Sequence, residues 1–152
     1  MRIDVDNQST IQLNAVFLEK LESIFLDILE DLELKDKECE LLLVDNEKIQ
    51  AINLEFREIN QPTDVLSFPL DSKFSSLLGS VVISVEYAKN VAENLGHSLN
   101  EEIALLFIHG VLHLLGFDHE NDEGEHRQKE VEFVEKFCLP KSLIVRNQGY
   151  KC

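Results

Sequence analysis

The chain has 152 residues, a length that suits one domain with a substantial core. Hydrophobic residues make up 44% of it and charged residues 28%, so the composition is that of a globular protein and argues against extensive disorder. Its formal net charge of -15 argues against a protein that binds nucleic acid by neutralising many phosphates, because such proteins are usually basic. A bound divalent ion could still make one cleft locally cationic.

The start of the chain and its cysteines indicate a compartment. Residues 1–7 show none of the features of a signal peptide, and no apolar run approaches the roughly 20 residues of a membrane span. Cys39, Cys138 and Cys152 are odd in number and far apart, which suits a reducing cytoplasm better than a disulfide framework. We therefore expect a cytoplasmic protein with no membrane contact, in which Cys39 and Cys138 lie in or near the core.

The first part of the chain predicts two strands around a long helix. Residues 2–6 alternate apolar and polar side chains, as in a short strand. Between Asn14, a suitable N-cap, and Leu32, apolar residues recur at three- and four-residue steps, which indicates an amphipathic helix packed on a sheet. Its opposite face is acidic and would be repelled by anionic lipid. Residues 40–45 carry an apolar run typical of a buried strand.

The next segments predict a helix followed by an edge strand. Residues 46–56 repeat apolar side chains at helical spacing and lead directly to Arg57. Residues 61–69 indicate a strand that has a proline near each end, Pro62 and Pro69. Proline cannot donate a hydrogen bond to a strand ladder, so this pattern favours the edge of a sheet. An edge strand beside a cleft would offer free backbone groups to a substrate.

The second half begins with another strand and two helices. Residues 79–83 indicate the strand, and Ser84 is a suitable N-cap for a helix that ends at Gly96. The S-x-x-E pattern of residues 98–101 is a capping box, so the next helix should begin near Leu99. That helix is apolar nearly all round, which indicates a central, buried position.

The end of the chain adds a fifth helix. Residues 125–137 resume helical spacing, and the tail of about residues 140–152 is expected to be peripheral. No repeat or low-complexity segment divides the sequence. Residues 1–152 therefore predict a single domain of the α/β (α+β) class, with a small four-stranded sheet packed with about five helices around the central one.

Three histidines in and after the central helix have the spacing of a metal site. His109 and His113 lie one turn apart on nearly the same helix face. Gly116 suits the left-handed residue that ends a helix and reverses the chain, which would bring His119 back as a third ligand. The spacing equals that of the zincin motif H-E-x-x-H-x-x-G-x-x-H, except that Gly110 stands in place of the glutamate. The pattern thus predicts a zincin-like metal helix without the peptidase base.

Three neutral imidazoles with an open fourth position are typical of catalytic zinc, whereas structural zinc is usually enclosed by four ligands rich in cysteine. Zinc in such a site lowers the pKa of a bound water and polarises phosphoryl or carbonyl oxygens, and both effects serve hydrolysis. The missing glutamate favours phosphate over peptide as the substrate. We expect His97 to be a turn residue and His126 to be solvated on its helix, so that neither closes the site.

Three further residues are candidates for substrate contacts. The guanidinium of Arg57 is always charged and its fork matches phosphate oxygens, although its position alone favours a surface arginine at a helix C-terminus. Asp118 is either a carboxylate that accepts an imidazole N–H and fixes its tautomer, or a plain turn residue. Asp64 either positions water or a ligand, or is a turn residue at the start of a strand.

At these positions the sequence resembles the YbeY family of bacterial rRNA-maturation endoribonucleases. The resemblance covers about residues 40–120 and rests on two motifs and on Arg57, just before the second of them. The motifs are His109-Gly110-x-Leu112-His113-Leu114-Leu115-Gly116-Phe117-Asp118-His119 and Pro62-Thr63-Asp64-Val65-Leu66-Ser67-Phe68. It implies a single α/β domain with a small mixed sheet, and one zinc ion per chain on His109, His113 and His119.

The resemblance also implies a function. The activity would be metal-dependent cleavage of single-stranded RNA in the cytoplasm, in ribosomal RNA processing that includes small-subunit 3′-end maturation, and in ribosome quality control. The implied partners are single-stranded ribosomal RNA and the small ribosomal subunit or its proteins, with no DNA. Arg57 would be the family's functional arginine. We predict catalytic roles for Arg57 and Asp118, and substrate contacts for Arg57, Thr63, Asp64 and Ser67.

The sequence departs from the family pattern at two positions and leaves two other functions open. Glu58 stands where glycine is common, and Ser80 stands where aspartate is common; both changes bear on substrate affinity rather than on metal binding. One alternative is a zincin-like metallopeptidase, suggested by the shared spacing. The other is a non-catalytic ribosome-assembly factor in which zinc is structural.

Overall fold

The structure is a computed structural model that describes residues 1–71, 75–118 and 120–141, so part of the predicted tail lies outside the described residues. The described chain contains the five helices and four strands that the sequence predicts, with ends that differ by a few residues. In chain order they are β1 (Ile3–Asn7), α1 (Ala15–Asp31), β2 (Glu38–Val44), α2 (Asn46–Arg57), β3 (Val65–Pro69), β4 (Leu77–Ser84), α3 (Val85–Leu95), α4 (Leu99–Leu114) and α5 (Glu125–Lys136).

The four strands form one mixed sheet in the order β1-β2-β4-β3. β1, β2 and β4 run parallel to one another, and helices make the crossovers that parallel strands require. β3 pairs antiparallel with β4 and lies at the edge of the sheet, as the flanking prolines predict. The mixed sheet confirms the predicted fold class.

The two faces of the sheet carry different amounts of apolar packing. Because successive strand residues point to opposite faces, Leu41 and Leu43 of β2 join the main core with apolar residues of α1, α3 and α4. Leu66 of β3 and Val82 of β4 point the other way and form a smaller cluster with Ile49 of α2. Helices therefore cover both faces, and α2 lies opposite α4.

Helix α4 is the central element, as predicted from its apolar surface. Twelve of its 16 residues are buried. Its capping box is present, because the Ser98 hydroxyl accepts from the Glu101 amide and the Glu101 carboxylate accepts from the Ser98 amide. At Gly110 an added Cβ would lie 2.7 Å from Cγ1 of Val81 and 3.2 Å from Oγ of Ser67. A glycine there lets α4 lie directly against the sheet.

Within residues 1–71, 75–118 and 120–141, no helix is both long and apolar enough to span a bilayer.

Candidate metal centre and cleft

The last two turns of α4 bring His109 and His113 together. Their rings meet edge to face, with centroids 5.0 Å apart and an interplanar angle of 72°. Both rings line the same cleft, as expected for residues one turn apart on one helix face. The predicted third ligand, His119, lies outside the described residues, and its role stays a prediction.

A third imidazole comes from α5. His126 is fully buried, stacked on His109 at a centroid distance of 4.7 Å and edge to face with His113 at 4.7 Å. One ligand nitrogen from each of the three rings lies within 4.8 Å of the other two. The prediction that His126 is solvated is wrong, because the first turn of α5 packs against α4. Three histidines therefore lie close enough together to hold one metal ion.

A buried carboxylate orients the first of these imidazoles. Glu130, on the next turn of α5 after His126, is fully buried and its Oε1 lies 2.7 Å from Nδ1 of His109. If Nδ1 carries the proton and donates it to this hydrogen bond, Nε2 of His109 is left with a lone pair for a metal. The sequence motifs do not include Glu130, so it was not predicted as a site residue. A usable signal was its spacing from His126 and Phe133, since residues at steps of four and three share a helix face.

The remaining described histidine lies at the other end of α4. His97 follows the left-handed Gly96 that ends α3, so its assignment to a turn is confirmed. Its Nε2 lies 2.7 Å from Oε1 of Glu102, a fully buried residue in the first turns of α4. His97 is not part of the cleft lined by His109 and His113.

The cleft lies where α2, β3 and α4 meet. Its volume is about 410 Å³, within the roughly 300–1,000 Å³ of small-molecule sites. The structure brings to its walls all the residues predicted to contact substrate, which are Arg57, Thr63, Asp64 and Ser67, together with Asp118. Residues from two separate sequence motifs thus meet beside the histidines.

The charges of the cleft are mixed. Arg57 is the exposed last residue of α2 and is the sole lysine or arginine among the described lining residues. Asp64, Asp118 and Glu120 contribute carboxylates. No described residue forms an ion pair with Arg57. Its guanidinium therefore remains available to an anionic ligand.

The polar side chains on the β3 side of the cleft are braced by local hydrogen bonds. Oδ1 of Asp64 accepts from the Val65 amide at 2.7 Å and from the Thr63 hydroxyl at 3.3 Å. The Ser67 hydroxyl donates to the Gly110 carbonyl at 3.3 Å and so links β3 to α4. These bonds fix the wall of the cleft before any ligand binds.

Asp118 organises the turn that follows α4. Its Oδ2 accepts from the Asn121 side-chain amide at 2.6 Å, and its Oδ1 accepts from the Glu120 amide at 3.1 Å. Its backbone carbonyl accepts from the amides of Asn121 and Asp122. These contacts agree with the turn role considered for Asp118. Glu130 is a carboxylate that pairs with an imidazole of the site, and the imidazole role considered for Asp118 stays a prediction.

The donor set fits a transition-metal ion. Imidazole nitrogen is a common ligand of zinc and of its neighbours in the first transition series, and a carboxylate hydrogen-bonded to the outer nitrogen is the usual support of such a ligand. His109 has both features, whereas a site for calcium or magnesium would be built from oxygen ligands. The chemistry of the cluster is therefore compatible with zinc.

Comparisons with known proteins find relatives over most of the chain. The sequence profile described as Endoribonuclease YbeY matches residues 4–138. An Endoribonuclease YbeY of a Sulfurovum species is 47% identical over 151 residues, covering 95% of this chain and 97% of the relative. One from Campylobacter jejuni is 62% identical over 114 residues, covering 74% of this chain and 85% of the relative.

A solved structure shows the same architecture. The solution structure of TM1509 from Thermotoga maritima superimposes with a TM-score of 0.64 at 28% identity, covering 88% of this chain and 87% of that one. The match to the family profile spans most of the sequence, and the relatives are aligned over most of their length. The chain therefore belongs to the YbeY endoribonuclease family.

Proposed function

We propose that this protein is a zinc-dependent endoribonuclease that cuts single-stranded RNA in the cytoplasm. Its place would be in ribosomal RNA processing, including small-subunit 3′-end maturation, and in ribosome quality control, with the small subunit or its proteins as partners. The observation that carries the proposal is the convergence of imidazoles from α4 and α5 beside a cleft that also holds Arg57. RNA is inferred as the substrate from the names of the relatives, which are endoribonucleases.

The metal would be one zinc ion held by His109, His113 and His119, with the ring of His126 packed against the first two ligands. When bound, zinc supplies positive charge beside a scissile phosphodiester and lowers the pKa of a water molecule. Glu130 holds the His109 ring in the orientation that directs Nε2 to the metal. The protein carries a formal net charge of -15, so most of its surface repels phosphate. The positive charge of a bound zinc ion would attract a phosphate at this one place.

The other residues of the cleft bind and position the RNA. Arg57 would receive the phosphate oxygens, since its fork can make two parallel hydrogen bonds to them. The braced side chains of Thr63, Asp64 and Ser67 would contact the nucleotide that crosses β3. Asp118 would act by holding the turn that leads out of the metal helix.

The geometry around Gly110 disfavours the peptidase alternative. This position corresponds to the glutamate base of zincins, but here it faces Val81 and Ser67 at distances too short for a side chain. A glutamate there would force α4 away from the sheet. No described contact favours a metallopeptidase, or a purely structural zinc, over the nuclease.

The direct test is cleavage of a labelled RNA by the purified protein. We expect it to nick single-stranded RNA and precursor small-subunit rRNA, to spare the duplex of the same sequence, to lose activity with a chelator and to regain it with zinc. His113→Ala should abolish cleavage because it removes a ligand. Arg57→Lys should lower it because a lysine retains the charge without the fork.

Matched variants separate the competing explanations. Leu54→Ala alters an exposed residue of α2 outside the cleft and should leave cleavage unchanged. Equal nicking by the parent and by His113→Ala would mean that a contaminating nuclease is responsible. Hydrolysis of peptides instead of RNA would favour the peptidase. Restored ribosome maturation in cells by a folded, metal-free His113→Ala protein would favour the assembly factor.

A further inference from the structure

An exposed aromatic ring stands at the rim of the cleft. Phe56 is 62% exposed although it lies on α2, which buries Ile49 against the sheet. Leaving most of a phenylalanine in water forgoes much of the free energy that its burial would provide. Its position next to Arg57, at the end of the helix that lines the cleft, points to a contact with a ligand.

A second aromatic ring fixes the first one in place. Phe68 of β3 meets Phe56 edge to face, with centroids 5.2 Å apart and an interplanar angle of 64°. Phe68 is itself partly buried against the small cluster that contains Leu66 and Val82. Phe56 is therefore braced on one side and presents free ring surface on the other.

The edge strand separates this aromatic pair from the histidines. Leu66 and Phe68 pack with the cluster on the α2 face of the sheet, whereas Ser67 reaches α4 on the opposite face. The cleft nevertheless touches both sets of residues, because it extends across the free edge of β3. An extended ligand that lies across this edge can contact the aromatic pair and the histidines together.

The acidic surface makes an uncharged contact valuable. A protein with a net charge of -15 has few cations to neutralise phosphates, and Arg57 is the sole lysine or arginine among the described lining residues. Stacking of a nucleobase on an aromatic ring needs no counterion release and accepts any base. It can therefore supply affinity for single-stranded RNA where charge cannot.

We propose that Phe56, braced by Phe68, is a stacking platform for one nucleobase of a single-stranded RNA that crosses the edge of β3. The neighbouring Arg57 then contacts a phosphate of the same stretch of RNA, and the histidines lie further along the cleft. The inference rests on the proposed ribonuclease function, and it adds a binding subsite separate from the metal.

The test measures the binding of a fluorescently labelled 2′-O-methyl single-stranded oligonucleotide to the zinc-loaded protein by anisotropy. Phe56→Ala and Phe56→Leu should each weaken binding about tenfold, because neither retains a ring, whereas Phe56→Trp should bind at least as well as the parent. Leu54→Ala is the matched control, an exposed apolar residue of the same helix that lies outside the cleft. Its affinity should equal that of the parent.

Two further measurements distinguish stacking from other contacts. The loss in Phe56→Ala should be the same between about 50 and 200 mM salt, whereas Arg57→Gln should flatten the salt dependence by roughly one phosphate contact. In a set of oligonucleotides that each lack one base at a different position, one should bind the parent more weakly than the others, because its missing base is the one that stacks on Phe56. In Phe56→Ala that position should no longer matter.

The outcomes separate this inference from the function on which it rests. If the parent neither binds nor nicks single-stranded RNA, the ribonuclease proposal fails. If the parent does both and Phe56→Ala equals it, the platform is wrong while the ribonuclease stands. If Phe56→Leu retains full affinity, the contact is merely apolar and the stacking proposal is overturned.

Discussion

Two imidazole–carboxylate pairs lie against helix α4 and have almost the same local geometry. In both His109–Glu130 and His97–Glu102 the nitrogen and oxygen are 2.7 Å apart, the glutamate side chain is fully buried, and the histidine side chain is 9% or 10% exposed. Among the described residues, only the first pair joins two more imidazoles and borders the cleft. Burial and a short hydrogen bond are therefore insufficient to define a site.

The difference lies in which ring nitrogen each glutamate uses. Glu130 approaches Nδ1 of His109, so the outer nitrogen Nε2 can act as a metal ligand. Glu102 approaches Nε2 of His97, which leaves only the nitrogen nearer the backbone. The His97 pair instead connects the turn after α3 to the first turns of α4. The Glu130 pair thus orients a candidate metal ligand, whereas the Glu102 pair joins two helices.

The largest expected effect comes from exchanging each carboxylate for an amide. Glu130→Gln should weaken zinc binding about 10- to 100-fold, because a neutral amide supports the His109 ring less strongly than a carboxylate. Glu102→Gln should leave zinc affinity unchanged. Competition with a chromophoric chelator measures both variants. Equal losses in the two would show that the pairs do not differ in function.

The next effect concerns the third imidazole. His126→Gln should lower zinc affinity about tenfold and change the visible absorption of the cobalt-substituted protein. A ring nitrogen within 4.8 Å of those of His109 and His113 would contribute to the environment of a metal bound there. His97→Gln is the control and should change neither. An unaltered cobalt spectrum and affinity in His126→Gln would place this residue outside the metal environment.

A smaller effect is expected from the joining pair. His97→Ala should lower the free energy of unfolding by about 1 kcal/mol, because it removes a hydrogen-bond partner from the buried Glu102. Urea denaturation of the metal-free protein measures this change without interference from zinc. Zinc affinity should stay at the parent value. A loss of zinc affinity at unchanged stability would contradict the assigned role.

The fold was predictable where local signals agree with the tertiary structure. The capping box at Ser98, the apolar surface of α4 and the prolines around β3 are features of short segments, and each predicted the right element. The substrate roles of Arg57 and Asp64 were predicted from the family resemblance, which rests on two motifs and on Arg57, and the structure places both residues in one cleft.

The part of the site contributed by α5 could not be derived in the same way. His126 and Glu130 lie in an acidic helix, where charged neighbours made His126 look solvated and gave no reason to single out Glu130. The packing of α5 on α4 buries both. Cys138 is the converse case: it was expected in or near the core, but it follows α5 in the left-handed conformation and is exposed. Packing between helices decided the positions of His126 and Glu130, and the turn after α5 decided that of Cys138.

The smallest effect is expected at a buried titratable group outside both pairs. Burial, with smaller contributions from Glu22 and Glu40, raises the pKa of Cys39 from 9.0 to about 12. Below pH 9 its thiol is protonated in the folded and unfolded chains alike, so its full contribution to stability is present. As the pH rises toward 12 the unfolded chain ionises first, and that contribution is lost.

The thiol of Cys39 should therefore stay unreactive in the native protein, since the thiolate is the reactive form. At about pH 8, where ordinary thiols begin to ionise, iodoacetamide should modify the exposed Cys138 and leave Cys39 unmodified until the chain is unfolded. Mass spectrometry of the two cysteine peptides measures this difference. Rapid labelling of Cys39 in the native protein would mean that β2 opens readily. Burial in the structure would then be a poor measure of how well Cys39, Glu102 and Glu130 are protected from solvent.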